Sequence, residues 1–187
     1  NYLISKSREF EESELITRLL LNRDINTKEE VEKFLNSDEN DLLNPFLFEQ
    51  MDKVTDRIIR ARKNKEKIVI YGDYDVDGIS AAAYLVIVFR KLGMNVDYYI
   101  PNRAHEGVGI NRNLIKYMTK RNTGLFISVD TSIASVEEIM MLKKNNIDII
   151  ITDHHREAKE IKDFNLLTIN PKISKNYPNK NLSGSGV

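Results

Sequence analysis

The stretch 67–80, KIVIYGDYDVDGIS, holds three carboxylates at alternate positions, Asp73, Asp75 and Asp77, framed by Gly72 and Gly78. Three unprotonated carboxylates so close together repel one another, and a bound divalent cation is the usual remedy. Hard oxygen donors at this density suit magnesium or manganese. A plainer reading stands beside that one. An Asp at a helix N-terminus satisfies free amides and complements the helix dipole. Capping needs only one of the three acids, which leaves two to be explained.

Two further places carry residues of the same kind: Asp130, and the run Asp153-His154-His155. A lone histidine is commonly a packed or surface residue. Two adjacent ones behind an aspartate, level with other acids, point instead to ligation. Mixed carboxylate and imidazole donors favour manganese first, with magnesium as the second choice.

Such residues matter only if the chain brings them together. Ile68, Val69, Ile70 and Tyr71 read as a short buried strand at 67–72, followed by a core-facing helix over 79–92. Strands then follow at 96–100, 125–129 and 147–151, with a fifth at 166–169 before Asn170-Pro171. Helical spacing fills 111–120 and a stretch from Ser135 to about 145. Strands separated by helices predict an α/β fold with a parallel sheet of about five strands and helices on both faces. All strand carboxyl ends of such a sheet lie on one edge, where open α/β folds place ligands. Asp75, Asp77, Asp130 and His154 would therefore converge there.

Ahead of the sheet, residues 1–48 carry no strand signal and read as a small helical region. Leu15, Ile16, Leu19 and Leu20 recur at helical spacing, and Thr27-Lys28-Glu29-Glu30 has the form of a capping box. Residues 49–187 form the main domain. Its first helix has an apolar stripe of Met51, Val54, Ile58 and Ile59, and a basic far side of Arg57, Arg60, Arg62 and Lys63 that reads as solvated.

Of 187 residues, 41% are hydrophobic and 30% charged, enough for a core inside a water-compatible surface. Lys plus Arg and Asp plus Glu both number 28, so any nucleic-acid contact must be local. There is no cysteine, which excludes disulfides and thiolate metal sites. No apolar run reaches the length of a membrane span, and the N-terminus lacks a secretory pattern. The expectation is a cytoplasmic protein without membrane contact.

The motifs also carry a resemblance. GDYDVDG at 72–78, VDTS at 129–132 and TDHH at 152–155 together resemble the DHH phosphoesterase superfamily. Within it, DYDVDG followed by Ile100-Pro101-Asn102-Arg103 and Glu106-Gly107-Val108-Gly109 is similar to the RecJ-type exonucleases, which are specific for single-stranded DNA and run 5′→3′. LLLNRDI at 19–25, NPFLF at 44–48 and LSGSG at 182–186 extend the likeness over essentially the whole chain.

That resemblance implies two divalent cations and hydrolysis of phosphodiester bonds from the 5′ end of single-stranded DNA, in repair and recombination. By similarity, Asp75 would bind one metal and Asp77 the other, Asp130 would bridge them and His154 would complete the second site. His155 would face the scissile phosphate, Asp73 would support the first metal, and Asp153 would orient the imidazoles. Arg103 and His105, after the second strand, would reach substrate; an arginine there can grip a terminal phosphate bidentately, or lie on the surface without a partner. The amides of Gly184, Ser185 and Gly186 would meet a phosphate, unless the segment is a loose end. Asn111 is either a contact of the same loop or a helix cap.

There are departures. Tyr71 stands where some superfamily members have a histidine, and Val129-Asp130-Thr131-Ser132 keeps the acid of VDCG while changing its neighbours. The resemblance also places a further metal-binding Asp and a substrate-binding domain beyond Val187, which makes this chain a truncated catalytic domain. Two rival readings are an oligonucleotide or cyclic-dinucleotide phosphodiesterase and a non-catalytic scaffold; retention of the ligand-type residues argues against the second.

Overall fold

The computed structural model describes residues 2–106, 110–131, 136–156 and 164–187. Gly107, Val108, Gly109, Ser132, Ser135 and the side chain of Arg103, all part of the sequence expectations, lie outside the described residues. The chain forms two compact units, Asn1–Asn44 and Pro45–Val187.

In the first unit, α1 (Tyr2–Phe10), α2 (Glu14–Leu21) and α3 (Lys28–Leu35) bury Phe10, Leu20 and Val31 against one another. The capping box forms as the sequence predicts: Glu30 N donates to Thr27 Oγ1 at 3.2 Å, and Thr27 N donates back to Glu30 Oε2 at 3.1 Å.

The second unit begins earlier than the composition suggests. Residues 45–48 belong with the sheet, because Phe48 is buried and stacks on Tyr177 with ring centroids 3.9 Å apart. After α4 (Met51–Lys63) come β1 (Lys67–Gly72), α5 (Val76–Lys91), β2 (Val96–Tyr99), α6 (Arg103–Glu106), α7 (Arg112–Lys120), β3 (Thr123–Val129), α8 (Val136–Lys144), β4 (Asp148–Thr152) and β5 (Leu167–Ile169). The five strands pair in parallel in the order β2-β1-β3-β4-β5. The chain first adds β2 on one side of β1, then crosses to add β3 on the other. That reversal opens a crevice above the carboxyl ends of β1 and β3.

Successive strand residues point to opposite faces. Ile68 and Ile70 enter one core with Val54 and Ala61 of α4 and Ala82, Val86 and Phe89 of α5. Val69 and Tyr71 enter the other with Leu114, Ile115 and Met118 of α7 and Ile139 and Leu142 of α8. Burial on both faces explains why the strands read as continuous apolar runs.

Two expectations are corrected here. The apolar run of α5 is not wholly core-facing, since Tyr84 and Ile87 are exposed. The basic far side of α4 is not wholly solvated either. Arg57 is only 7% exposed: its Nη2 lies 2.6 Å from Glu66 Oε2, its Nε lies 2.6 Å from Asp148 Oδ2, and Nη2 also donates to Gly124 O at 3.2 Å. The partners come from the amino ends of three strands, so Arg57 laces that edge of the sheet. Among the described residues, no helix is long and apolar enough to cross a membrane.

Candidate metal centre

At the carboxyl edge, β1 hands over to α5 through a turn that only close backbone approach permits. A Cβ on Gly78 would lie 2.5 Å from Asp73 N, and one on Gly72 would lie 2.5 Å from Gly78 O. Real side chains do not tolerate such contacts, so both glycines are needed to fold the acidic loop against its own helix. Within the loop, Asp75 is the N-cap, its Oδ1 accepting from Gly78 N at 2.9 Å. This side-chain cap lets α5 begin at Val76 rather than near residue 79. Asp73 turns onto its neighbour, accepting from Tyr74 N at 2.7 Å.

Asp77, in the first turn of α5, has a different partner. Its two oxygens accept from Gly184 N at 2.7 Å and Ser185 N at 2.6 Å. Burial acts most strongly on this carboxyl and upward, but the hydrogen bonds from Ser185 and Gly184, with His154 nearby, together hold it below the usual carboxylate range. The amides of Gly184 and Ser185 are thus clasped to Asp77 rather than presented to a phosphate. Gly186 N donates to Ser183 Oγ at 3.2 Å, closing the turn on itself.

Asp130, directly after β3, has φ +54°, a left-handed backbone that Asp tolerates better than most residues. Its amide donates to Thr152 O at 3.0 Å, and its side chain is almost fully enclosed. Oδ1 has no hydrogen-bond partner. Burial, then the charges of Asp77 and Asp75, push this carboxyl up to about 7. Asp75 therefore acts on the same volume although its own oxygen caps a helix.

The two histidines differ in what fixes them. His154 Nδ1 is 2.9 Å from Leu182 O, which can only accept, so Nδ1 donates there and Nε2 is the ring atom turned to the acids. That atom lies 3.2 Å from Asp130 Oδ1 and 3.9 Å from Asp77 Oδ2. His155 Nδ1 is 2.8 Å from Asp153 Oδ1, and this bond raises the imidazole above its usual range. Asp153 is buried, while the His155 side chain is half open to solvent.

One ligand atom from each of Asp130, His154 and His155 can lie within 4.8 Å of the others. With its proton given up, Asp130 would set a carboxylate oxygen across a 3.2 Å gap from His154 Nε2. A divalent cation fits that gap, and imidazoles oriented from behind by a carbonyl and a carboxylate are the usual support for one.

The structure therefore gathers Asp77, Asp130, Asp153, His154 and His155, with Asp75 alongside, whereas the Asp73 side chain is turned onto Tyr74 N. His105 is exposed on α6 beyond β2, and among the described residues no hydrogen bond or ion pair ties it to this cluster. Asn111 caps α7, accepting from Asn113 N and Leu114 N at 2.9 and 3.0 Å. Sequence reasoning missed the Leu182 carbonyl, because a backbone acceptor leaves no residue-type signal.

Known proteins supply an independent view of the chain. Residues 67–187 match the DHH family, N-terminal domain. The chain is 38% identical over 173 residues to the single-stranded-DNA-specific exonuclease RecJ of Bacillus subtilis (strain 168), an alignment covering 92% of this chain and 22% of the relative. It is 31% identical over 175 residues to the RecJ of Haemophilus influenzae, covering 92% and 30%. The chain thus spans less than a third of these relatives. Among solved structures it is similar to an exonuclease RecJ bound to manganese, with TM-score 0.70 and 28% identity over 78% of this chain and 37% of that one. The RecJ of Thermus thermophilus in complex with Mn2+ shares the fold, at TM-score 0.68 and 23% identity over 99% and 25%. Matched across the acidic loop, Asp130 and the Asp-His-His run alike, the chain belongs to the DHH family.

Proposed function

We propose that this chain is the metal-binding part of an exonuclease specific for single-stranded DNA, hydrolysing phosphodiester bonds from the 5′ end in the cytoplasm, in repair and recombination. The observation that carries the reading is Asp130 Oδ1, buried and without a hydrogen bond, 3.2 Å from His154 Nε2. A scaffold without chemistry has no use for an acid kept in that state. Asp75, Asp77, Asp130 and His154 would hold two divalent cations, manganese first, with Asp73 in support of the first. When bound, such cations lower the pKa of a water and neutralise charge on the phosphate under attack. His155, its imidazole pKa raised by the bond to Asp153, would face the phosphate and stabilise charge as it develops. Asp153 fixes the tautomer and aim of that ring. Arg103 and His105 belong to the loop that receives the 5′ end, where a guanidinium suits a terminal phosphate.

The test is release of mononucleotides from single strands labelled at the 5′ or the 3′ end, with manganese and with duplex as control. It is run on this chain and on a protein of its relatives' full length. Loss of the 5′ label first, from single strands alone, is expected. Release beginning at the 3′ end, equal attack on duplex, or no release from either protein would overturn the reading.

A further inference from the structure

His155 poses a geometric question: its side chain is 55% exposed, so packing does not aim it. Its direction must come from the main chain that carries it and from the hydrogen bond to Asp153. Asn170, the residue directly after β5, holds that main chain. It is 3% exposed, and its Nδ2 donates to the carbonyl of His155 at 2.9 Å. Its Oδ1 accepts from Lys172 N at 2.9 Å, and its own carbonyl accepts from Ser174 N at 3.0 Å. One residue earlier, Ile169 O accepts from Asp153 N at 3.0 Å. The Asp153–His155 segment is therefore tied to the end of β5 at both of its ends, once through main chain and once through the Asn170 amide.

We propose that Asn170 is a positioning residue for His155: its side-chain amide fixes the His155 carbonyl, and with it the plane and aim of an imidazole that solvent leaves free. The catalytic consequence rests on the role given to His155 above; the positional one does not. An amide suits this place because it must donate on one side and accept on the other. The His154 ring is held by Leu182 O, from a different segment, so the two rings are aimed independently.

A purely structural role would be to hold the turn at 170–174 through Lys172 N. Asn170→Asp separates the two possibilities. A carboxylate still accepts from Lys172 N but cannot donate to His155 O, whereas Asn170→Ala loses both bonds without adding charge. The chain has three histidines, so imidazole 15N spectra of the metal-free protein are assignable by single substitution. Both variants are expected to shift the His155 resonances and speed exchange of its Nδ1 proton, with the His154 resonances in place. Turnover should fall on the order of tenfold, the scale for losing a group that orients an active ligand. Manganese affinity measured by calorimetry should hold, because among the described residues no hydrogen bond or ion pair links Asn170 to Asp130, Asp77 or His154.

Unmoved His155 resonances in Asn170→Asp would overturn the inference, whatever turnover does. So would a shift in the Asp variant alone, since that would reflect added charge. If the resonances move in both variants while His155→Ala turns over normally, the positional inference stands and the catalytic role of His155 falls.

Discussion

The two edges of the sheet both hold buried charge, and they treat it in opposite ways. At the amino edge, opposite charges meet directly: Arg57 contacts Glu66 and Asp148 at 2.6 Å each, and two of its three guanidinium nitrogens are engaged. At the carboxyl edge, charges of one sign crowd together. Asp130 is pushed up to about 7 by burial and by Asp77 and Asp75, and its Oδ1 has no partner. Paired charge laces elements together, whereas unpaired charge at a sheet's ligand edge waits for something from outside the chain. Burial alone would not have told these regions apart; the sign and spacing of the neighbours does.

The largest effect comes from making the amino edge resemble the other. Arg57→Met leaves Glu66 without its cationic partner, with only Asn64 Nδ2 still donating to it, at a site where that side chain is 20% exposed. Stability should fall by about 3 kcal/mol, the lower end for removing one member of a buried ion pair because Asp148 is more open. The urea midpoint reads it, and a loss under about 1 kcal/mol would show that packing, not pairing, holds this edge.

Next is the clasp over the acids. A Cβ on Gly184 would fall inside the Asp130 carboxylate. Gly184→Ala should therefore cost about 2 kcal/mol, within the usual range for overpacking. It should also weaken manganese binding measured by calorimetry, because the segment that clasps Asp77 must move. Unchanged affinity would show that the clasp is incidental to the site.

Asp130→Asn tests the carboxyl edge in the other direction. A carboxyl with a folded value near 7 and an ordinary value of 3.8 keeps its proton in the native state while the unfolded state has lost it. Metal-free protein should accordingly lose stability as pH rises from 3.8 towards 7, and then level off. The Asn variant should lack that decline and be more stable at alkaline pH by on the order of 1 kcal/mol, well below the full linkage value. Manganese at about 100 times its Kd should stabilise the parent by about 2.7 kcal/mol and the variant much less. Parallel pH profiles for the two proteins would contradict the picture of Asp130 as a strained acid.

The smallest effect concerns Glu49, which is exposed yet well bonded. Against desolvation, the largest influence on it, bonds from Ser174 Oγ and the amides of Lys175 and Asn176 hold its carboxyl down to about 2. Its contribution is present above 4.5 and lost as pH falls through 2. Glu49→Gln should shift the acid midpoint slightly upward, and no shift would place those bonds among solvent-screened contacts.

Much of this was legible in the sequence. Strands buried on both faces write themselves as apolar runs, and acids that follow them stand out. Hence the sheet and the convergence of Asp77, Asp130 and His154 could be expected. Arg57 could not be read, because a cation on a helix's far side looks the same in water as beside Asp148, 91 residues on. That Asp75 also caps α5 could not be read, because capping depends on where a helix starts, and its own cap moves that start to Val76. The clasp on Asp77 was hidden for a similar reason. Its donors are main-chain amides 107 and 108 residues away, and every residue but proline has one.

The left-handed backbone at Asp130 decides how any substitution there can be interpreted. With φ at +54°, alanine would add strain of roughly 1 kcal/mol to the loss of the acid, and a β-branched residue would add more. Asparagine shares both the outline of aspartate and its tolerance of this conformation. It is thus the substitution that removes the charge while leaving the chain path alone. An inactive alanine variant would report on two changes at once, and glycine would restore the backbone while emptying the space. Any accidental route away from Asp130 passes through the same filter: the ways in which this centre can lose its acid and keep its fold are limited by a torsion angle as much as by chemistry.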